Sequence, residues 1–410
     1  MAYQSRSSDN HRSTARRKRV WLIPIAIALL AIVAGFLWIA GFGRDRRSAD
    51  ERLAEIEAAR AIPDSENAAM IYDYLFQDPK ATSLSNACSR TGEPLLSYRV
   101  LHWPWLSKDQ PEVDAWIKEH QYIIDRLLAA ARFEKCWFPI SIDIMDTAQI
   151  ARGAPMRQWA FLLRSAANND IAQGRLDDAL AKWRCLLQMG NHLCQQPLRI
   201  DQLVGMAVEK LALEAMILFI MTDAATGMHL QNIEAMPLPL AESDRTELLK
   251  TIHLVEDLSV RKLLEPLGPL DRLRFHFEFR RMMSAAKDAT DREDADPDER
   301  MNHLHLRKVA IARGVRILTA LRRYRNATGR WPESLDEIRS SLPEEILTDL
   351  FNKDSFFYQT TADGFRLYSR GKNNVDDSGK WDPDAGPDDW PIWPPRWRNA
   401  EPKEENADGV

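Results

Sequence analysis

Apolar side chains follow two different patterns along this chain. The first is a continuous run: from Val20 to Gly43, 24 residues pass without a charged side chain. As a helix this run rises about 36 Å, enough to cross a hydrocarbon core of about 30 Å with some tilt. It is longer than the apolar core of a secretory signal and ends in Gly41-Phe42-Gly43-Arg44, a poor cleavage context, so it reads as an uncut single-pass anchor. The second pattern is helical periodicity, which begins after a charged, Ala-rich stalk at Ser48 to Arg60. Asp64 or Ser65 caps a helix reaching about Gln77, and Pro111 opens another that carries Val113, Trp116, Ile117, Ile123, Ile124, Leu127 and Leu128. Cys136 to Ile150 reads as shorter and more extended.

The centre of the chain is its most helical part. Met156 to Ile171 and Leu176 to Leu193 flank Ala172-Gln173-Gly174-Arg175, and Leu176, Leu180, Trp183 and Leu187 are spaced four, three and four apart. This predicts a helical hairpin. Leu163, Ala167, Gly174, Ala179 and Trp183 also fall where a tetratricopeptide unit puts its large, small, turn, small and aromatic positions. One visible unit is short of the three or so that a solenoid needs, which favours a hairpin inside an irregular helical domain. Ile200 to Met221 is interrupted by Glu209, Lys210 and Glu214 and reads as a buried core helix. Ser243 to Glu265 and Asp271 to Ala286 predict two more helices, although Phe275, Phe277 and Phe279 alternate as a short strand would. Lys287 to Arg300 is acidic and marks a linker. Beyond it come a long helix, Met301 to Thr328, with Leu306, Ala310, Ile317, Leu321 and Tyr324 on one face, a stop at Gly329, and a short helix after Pro332. Two strand-like runs follow, Phe356 to Thr360 and Phe365 to Tyr368, joined by a hairpin turn at Ala362-Asp363-Gly364.

The predicted fold class is therefore mainly α: a basic tail at 1–19, a transmembrane helix at 20–43, a helical body at 44–286, an acidic linker at 287–300, a small α+β module at 301–397 and a disordered tail at 398–410. Charge orients the anchor. Arg6, Arg12, Arg16, Arg17, Lys18 and Arg19 precede it, while Arg44, Arg46, Arg47 and Arg52 follow it, diluted by Asp45, Asp50 and Glu51. The short N-terminus is expected in the cytoplasm and the body on the far side of the inner membrane. Residues 1–47 hold nine Lys or Arg against two acids, which leaves −12 of the overall −5 for the rest. A body so acidic is not expected to bind nucleic acid. Cys88, Cys136, Cys185 and Cys194 all follow the span, and their even number permits one or two disulfides. Cys185 and Cys194 would lie about 13 Å apart on one helix, so they could pair only if it broke near Gly190-Asn191.

The last hundred residues resemble the C-terminal part of type II secretion major pseudopilins. The resemblance rests on Tyr324, Gly329, Trp331, Pro332, Ser334, Leu335, Asp336 and Glu337, then Tyr368, Ser369 and Gly371 before a loop rich in Asp and Asn. The wider layout, with Pro63-Asp64-Ser65-Glu66-Asn67-Ala68-Ala69 after the anchor, resembles a group of membrane-anchored bacterial proteins of unassigned function. The span lacks the glutamate of a pseudopilin, so the resemblance implies a shared module and not a pilus subunit. In that family the acidic loop binds calcium, and a hard cation wants oxygen donors. Asn374, Asp376, Asp377, Asp382 and Asp384 are the candidate calcium ligands, against the alternative of a merely solvated loop. Trp381, Trp390, Trp393 and Trp397 among prolines are expected to pack back on the module's own sheet, with a docking strip as the alternative.

No closed catalytic motif is present. His303 and His305 stand two apart on a predicted helix, so their side chains diverge, and Arg274, His276, Glu278, Arg280 and Arg281 read as a charged helix face. Three functions remain open. The first is an envelope interaction or scaffold protein with a protein partner; the second is an accessory factor of a secretion or pilus-like machine. The third is an extracytoplasmic metal-dependent hydrolase.

Overall fold

The computed structural model describes residues 47–84, 95–143, 151–241, 245–268, 296–362, 364–382 and 387–395, with scattered positions between 270 and 281. The segment Val20 to Gly43 lies outside them, as do Cys88, Trp397 and most of the acidic linker. Among the described residues no helix is long and apolar enough to cross a membrane.

Thirteen helices are described: α1 (Ala49–Arg60), α2 (Ala69–Phe76), α3 (Pro79–Thr82), α4 (Tyr98–His102), α5 (Pro111–Glu119), α6 (Gln121–Ala130), α7 (Gly153–Ala172), α8 (Leu176–Cys194), α9 (Arg199–Ile220), α10 (Gly227–Glu234), α11 (Thr246–Leu264), α12 (Pro297–Thr328) and α13 (Glu344–Leu347). Two 3-10 turns, Asp64–Glu66 and Leu335–Ser341, complete the helical part. Three strands, β1 (Phe357–Thr361), β2 (Gly364–Ser369) and β3 (Trp390–Trp393), form an antiparallel sheet in the order β1-β2-β3. The chain divides into two compact units, residues 1–55 with 257–295, and residues 56–256 with 296–410. In the first, the Ala49 amide donates to Glu265 and Lys262 pairs with Asp50. Phe275 and Phe277 are helical there, so their alternation does not mark a strand.

The second unit is built on α7, α8 and α9. The predicted hairpin is present: Gly174 takes φ +75° between α7 and α8, and Leu163, Ala167, Ala179 and Trp183 are buried. Trp159 is fully buried and donates its indole N–H to the Ala81 carbonyl, which ties α7 to α3. Helix α8 does not break at Gly190. Instead Gly190 and Gly205 let α8 and α9 pack backbone to backbone; a Cβ on Gly190 would stand 2.4 Å from Glu209 Cγ and 2.7 Å from the Gly205 carbonyl oxygen. Cys185 and Cys194 therefore sit on one continuous helix, and Cys136, Cys185 and Cys194 are free thiols that burial keeps protonated. The crossing yields a prediction. Gly190→Ala gains about 1 kcal/mol of helix propensity, but the clash is with backbone as well as a side chain, so a net loss of about 1–2 kcal/mol is expected in urea unfolding.

Helix α12 runs through this unit as a pillar. Asp296 caps it by accepting from the Asp298 amide, and Gly329 at φ +80° ends it with its N–H on the Arg325 carbonyl. Of its expected apolar face Leu306, Ala310, Ile317 and Leu321 are buried and Tyr324 is half-buried, yet Val309, Ile311, Val315 and Leu318 on other sides are buried too. The cause is the way its arginines are satisfied. Arg313 donates to the carbonyls of Leu240 and Thr348, and Arg316 to those of Ile233 and Met236, at 2.7–2.8 Å. Strand β3 closes the sheet against this helix, with Ile392 filling the space over Gly314. Trp390 and Trp393 thus belong to the sheet, and Trp381 meets Trp390 edge to face at 5.8 Å.

Candidate metal centre

A group of acidic side chains gathers where β2 leaves the sheet. Tyr368 and Ser369 end the strand, and the chain then turns through positive φ at Gly371 (62°), Asn374 (55°), Ser378 (61°) and Gly379 (75°). Glycine is required at 371, because a Cβ there would lie 2.3 Å from Asp388 Oδ1 and 2.5 Å from the Asp388 carbonyl oxygen. The loop is folded by carboxylates that accept from backbone amides. Asp376 Oδ1 takes the Tyr368 hydroxyl at 2.7 Å and the Ser378 N–H at 2.9 Å. Asp388 Oδ2 takes the N–H groups of Lys372 and Asn373, and Asp389 Oδ2 takes that of Gly379 at 2.8 Å.

These bonds bring Asp377, Asp388 and Asp389 together, one ligand oxygen of each lying within 4.8 Å of the others. Oδ1 of Asp388 and Oδ1 of Asp389 are buried, and among the described residues neither meets a donor. Asp389 is fully buried, and burial pushes its carboxyl up to about 6, with Asp377 and Asp376 adding to the rise by repulsion. Three carboxylates held this close repel one another, and a hard cation would relieve that repulsion. Asp377, Asp388 and Asp389 are thus a candidate set of oxygen donors.

The sequence-based candidates are divided by this geometry. Asp377 belongs to the cluster. Asp376 is beside it but is spent on Tyr368 and Ser378. Asn374 and Asp382 are exposed, the Asp382 amide donating to the Pro387 carbonyl, and Asp384 lies outside the described residues. Asp388 and Asp389 were missed because they read as part of the Trp-rich segment. The signal for them was their place just before β3, where the return of the chain to the sheet brings them against the loop after β2.

Among the described residues, the histidines and the charged helix face show no comparable convergence; His276 and Arg280 lie outside them. His305 is buried, with its pKa pushed down to about 3 by desolvation and by Lys308 and Arg245. His303 stands 3.8 Å from Glu299, and Arg274 pairs with Glu278 at 3.0 Å. Compared with known protein families, curated proteins and solved structures, the chain matches none.

Proposed function

We propose that this chain is a membrane-anchored, extracytoplasmic interaction protein of the bacterial envelope, whose C-terminal α+β module is locked by calcium on Asp377, Asp388 and Asp389. The anchor rests on the uncharged segment Val20 to Gly43 and the basic cluster before it. The metal rests on one observation above all, the two buried carboxylate oxygens without donors. When bound, the ion supplies the positive charge that this cluster lacks; Gly371 lets Asp388 approach, and Tyr368 holds Asp376 to one side. The reaction-free reading also accords with the resemblance to a secretion module that works by assembly.

Thermal melting of the detergent-solubilised protein tests the metal. Calcium at a hundred times its dissociation constant adds about 2.7 kcal/mol, so a rise of several degrees is expected between EDTA and millimolar calcium. Asp389→Asn should abolish that rise while leaving the EDTA melting point within a degree or two. A flat response of the wild type to millimolar calcium removes the ion from the proposal. Copurification of secretion components with the solubilised protein would turn the interaction reading into the accessory-factor one.

A further inference from the structure

A cleft of about 440 Å³ lies between the helical body and the C-terminal module, within the larger unit. That size is ordinary for a small-molecule or peptide-end site. Its walls are Trp103 after α4, Phe219 on α9, Trp331 after α12, Phe365 on β2 and Trp393 on β3, with Ile171 and Leu218 also facing it. No acid is among its described lining residues, although the protein as a whole is acidic. Two guanidinium groups are.

Arg164 is the more telling of these. It is 1% exposed, on the inner side of α7, and it has no carboxylate partner among the described residues. Its Nε donates to the Leu101 carbonyl at 2.9 Å and its Nη1 to the Leu211 carbonyl at 2.7 Å, which fixes the plane of the group. Nη2 is the nitrogen left over. Glu214, the acid that acts on Arg164 through space, stands 3.5 Å from Lys210. A buried cation with two neutral acceptors and no counter-ion is costly, and an anion entering the cleft would relieve it. Arg325, half-buried in the last turn of α12, lies over Trp331 with its guanidinium carbon 4.8 Å from the ring centre. It offers a second positive group at the cleft wall.

The donor count selects the anion. Asn168 already donates to the carbonyls of Val100 and Leu101 and Thr222 to that of Phe219, so the charged donors of the cleft are its two guanidinium groups, one of them fixed by carbonyls and one over an indole. Aromatic and aliphatic walls make up the rest. We infer that this cleft binds a monocarboxylate borne directly on an apolar or aromatic group, its carboxylate on Arg164 and Arg325 and its body between Trp331, Phe365 and Trp393. Both a free amphipathic acid and the C-terminal carboxylate of a peptide ending in an apolar residue carry this chemistry.

Isothermal titration calorimetry on the full chain in detergent tests the inference with two acid–amide pairs. The first pair is 4-phenylbutyrate and 4-phenylbutanamide; the second is the peptide N-acetyl-Ala-Ala-Phe with a free or an amidated C-terminus. At least one acid is expected to bind, and its amide at least tenfold more weakly. A free acid that binds as well as the peptide assigns the site to small acids, whereas a preference for the peptide acid assigns it to chain ends. Arg164→Lys keeps the charge but loses the planar fork and is checked for folding by its melting curve. Arg325→Gln breaks no side-chain hydrogen bond among the described residues and should weaken the acid about fivefold or more while leaving the amide unchanged. Equal affinity for acid and amide, no saturation by either acid at millimolar concentration, or an unaltered Arg325→Gln variant would overturn the inference. None of these outcomes depends on calcium.

Discussion

Replacing Lys308 by methionine is expected to cost the folded protein about 3 to 5 kcal/mol, the range for removing one partner of a buried ion pair. Lys308 on α12 and Glu209 on α9 meet at 2.7 Å, with side chains 7% and 5% exposed. The pair connects the pillar helix to the helical body at the level of the Gly190–Gly205 crossing, where Glu209 also lies against α8. Without the ammonium, the carboxylate stays in a place where burial already raises its pKa. The unfolded chain ionises at the ordinary carboxylate value, so the variant should lose most at neutral pH and recover part of its stability as the pH falls and Glu209 takes a proton. Urea unfolding at pH 7.5 and pH 5 measures both numbers. The double variant Glu209→Gln with Lys308→Met should regain a large share of the loss at pH 7.5, because neither charge is then left alone. A single-variant cost under about 1 kcal/mol would show that water reaches this pair.

The parts of this fold that could be read in advance are those set by local chemistry. The α7–α8 hairpin follows from apolar spacing around Gly174, the end of α12 from a glycine free to take φ +80°, and the β1–β2 register from alternating residues on either side of a turn. What escaped reading depends on residues distant in sequence. Gly190 looks like a helix breaker until Gly205, fifteen positions on, is seen against it. Nothing near Arg313 and Arg316 in the sequence announces the carbonyls of Leu240, Thr348, Ile233 and Met236 that receive them. The same distinction runs through the candidate sites. Asp377 is visible in its own loop, whereas Asp388 and Asp389 join it only through the pairing of β3 with β2. Arg164 has no local mark at all; that no acid stands among the described residues lining its cleft emerges only when distant elements meet.

Between pH 6.5 and pH 4.5 the stability that His192 lends to the native state should fall by about 2 to 3 kcal/mol. The ring is fully buried on α8. Its Nε2–H donates to the Phe133 carbonyl at 2.9 Å, which leaves Nδ1 to accept the Tyr72 hydroxyl at 3.0 Å. Both nitrogens are satisfied only in the neutral form, and desolvation pushes the pKa down to about 4. The unfolded chain protonates near 6.5, so below that value it binds more protons than the folded one and gains on it until the folded pKa is reached. His305 adds to the same trend. Asp201 opposes it: burial against Arg152 at 3.2 Å leaves its carboxyl near 6, so the folded state is favoured as this group protonates between pH 6 and pH 4. The raw stability curve therefore mixes opposite slopes, and the difference between wild type and His192→Gln separates them. The variant loses hydrogen bonds at every pH but has no ring to charge, so its deficit at pH 7.5 should shrink by those 2 to 3 kcal/mol at pH 4.5. Matched urea titrations at the two pH values read this directly, and a deficit that stays constant would mean that His192 takes up its proton as readily in the folded protein as in the unfolded chain.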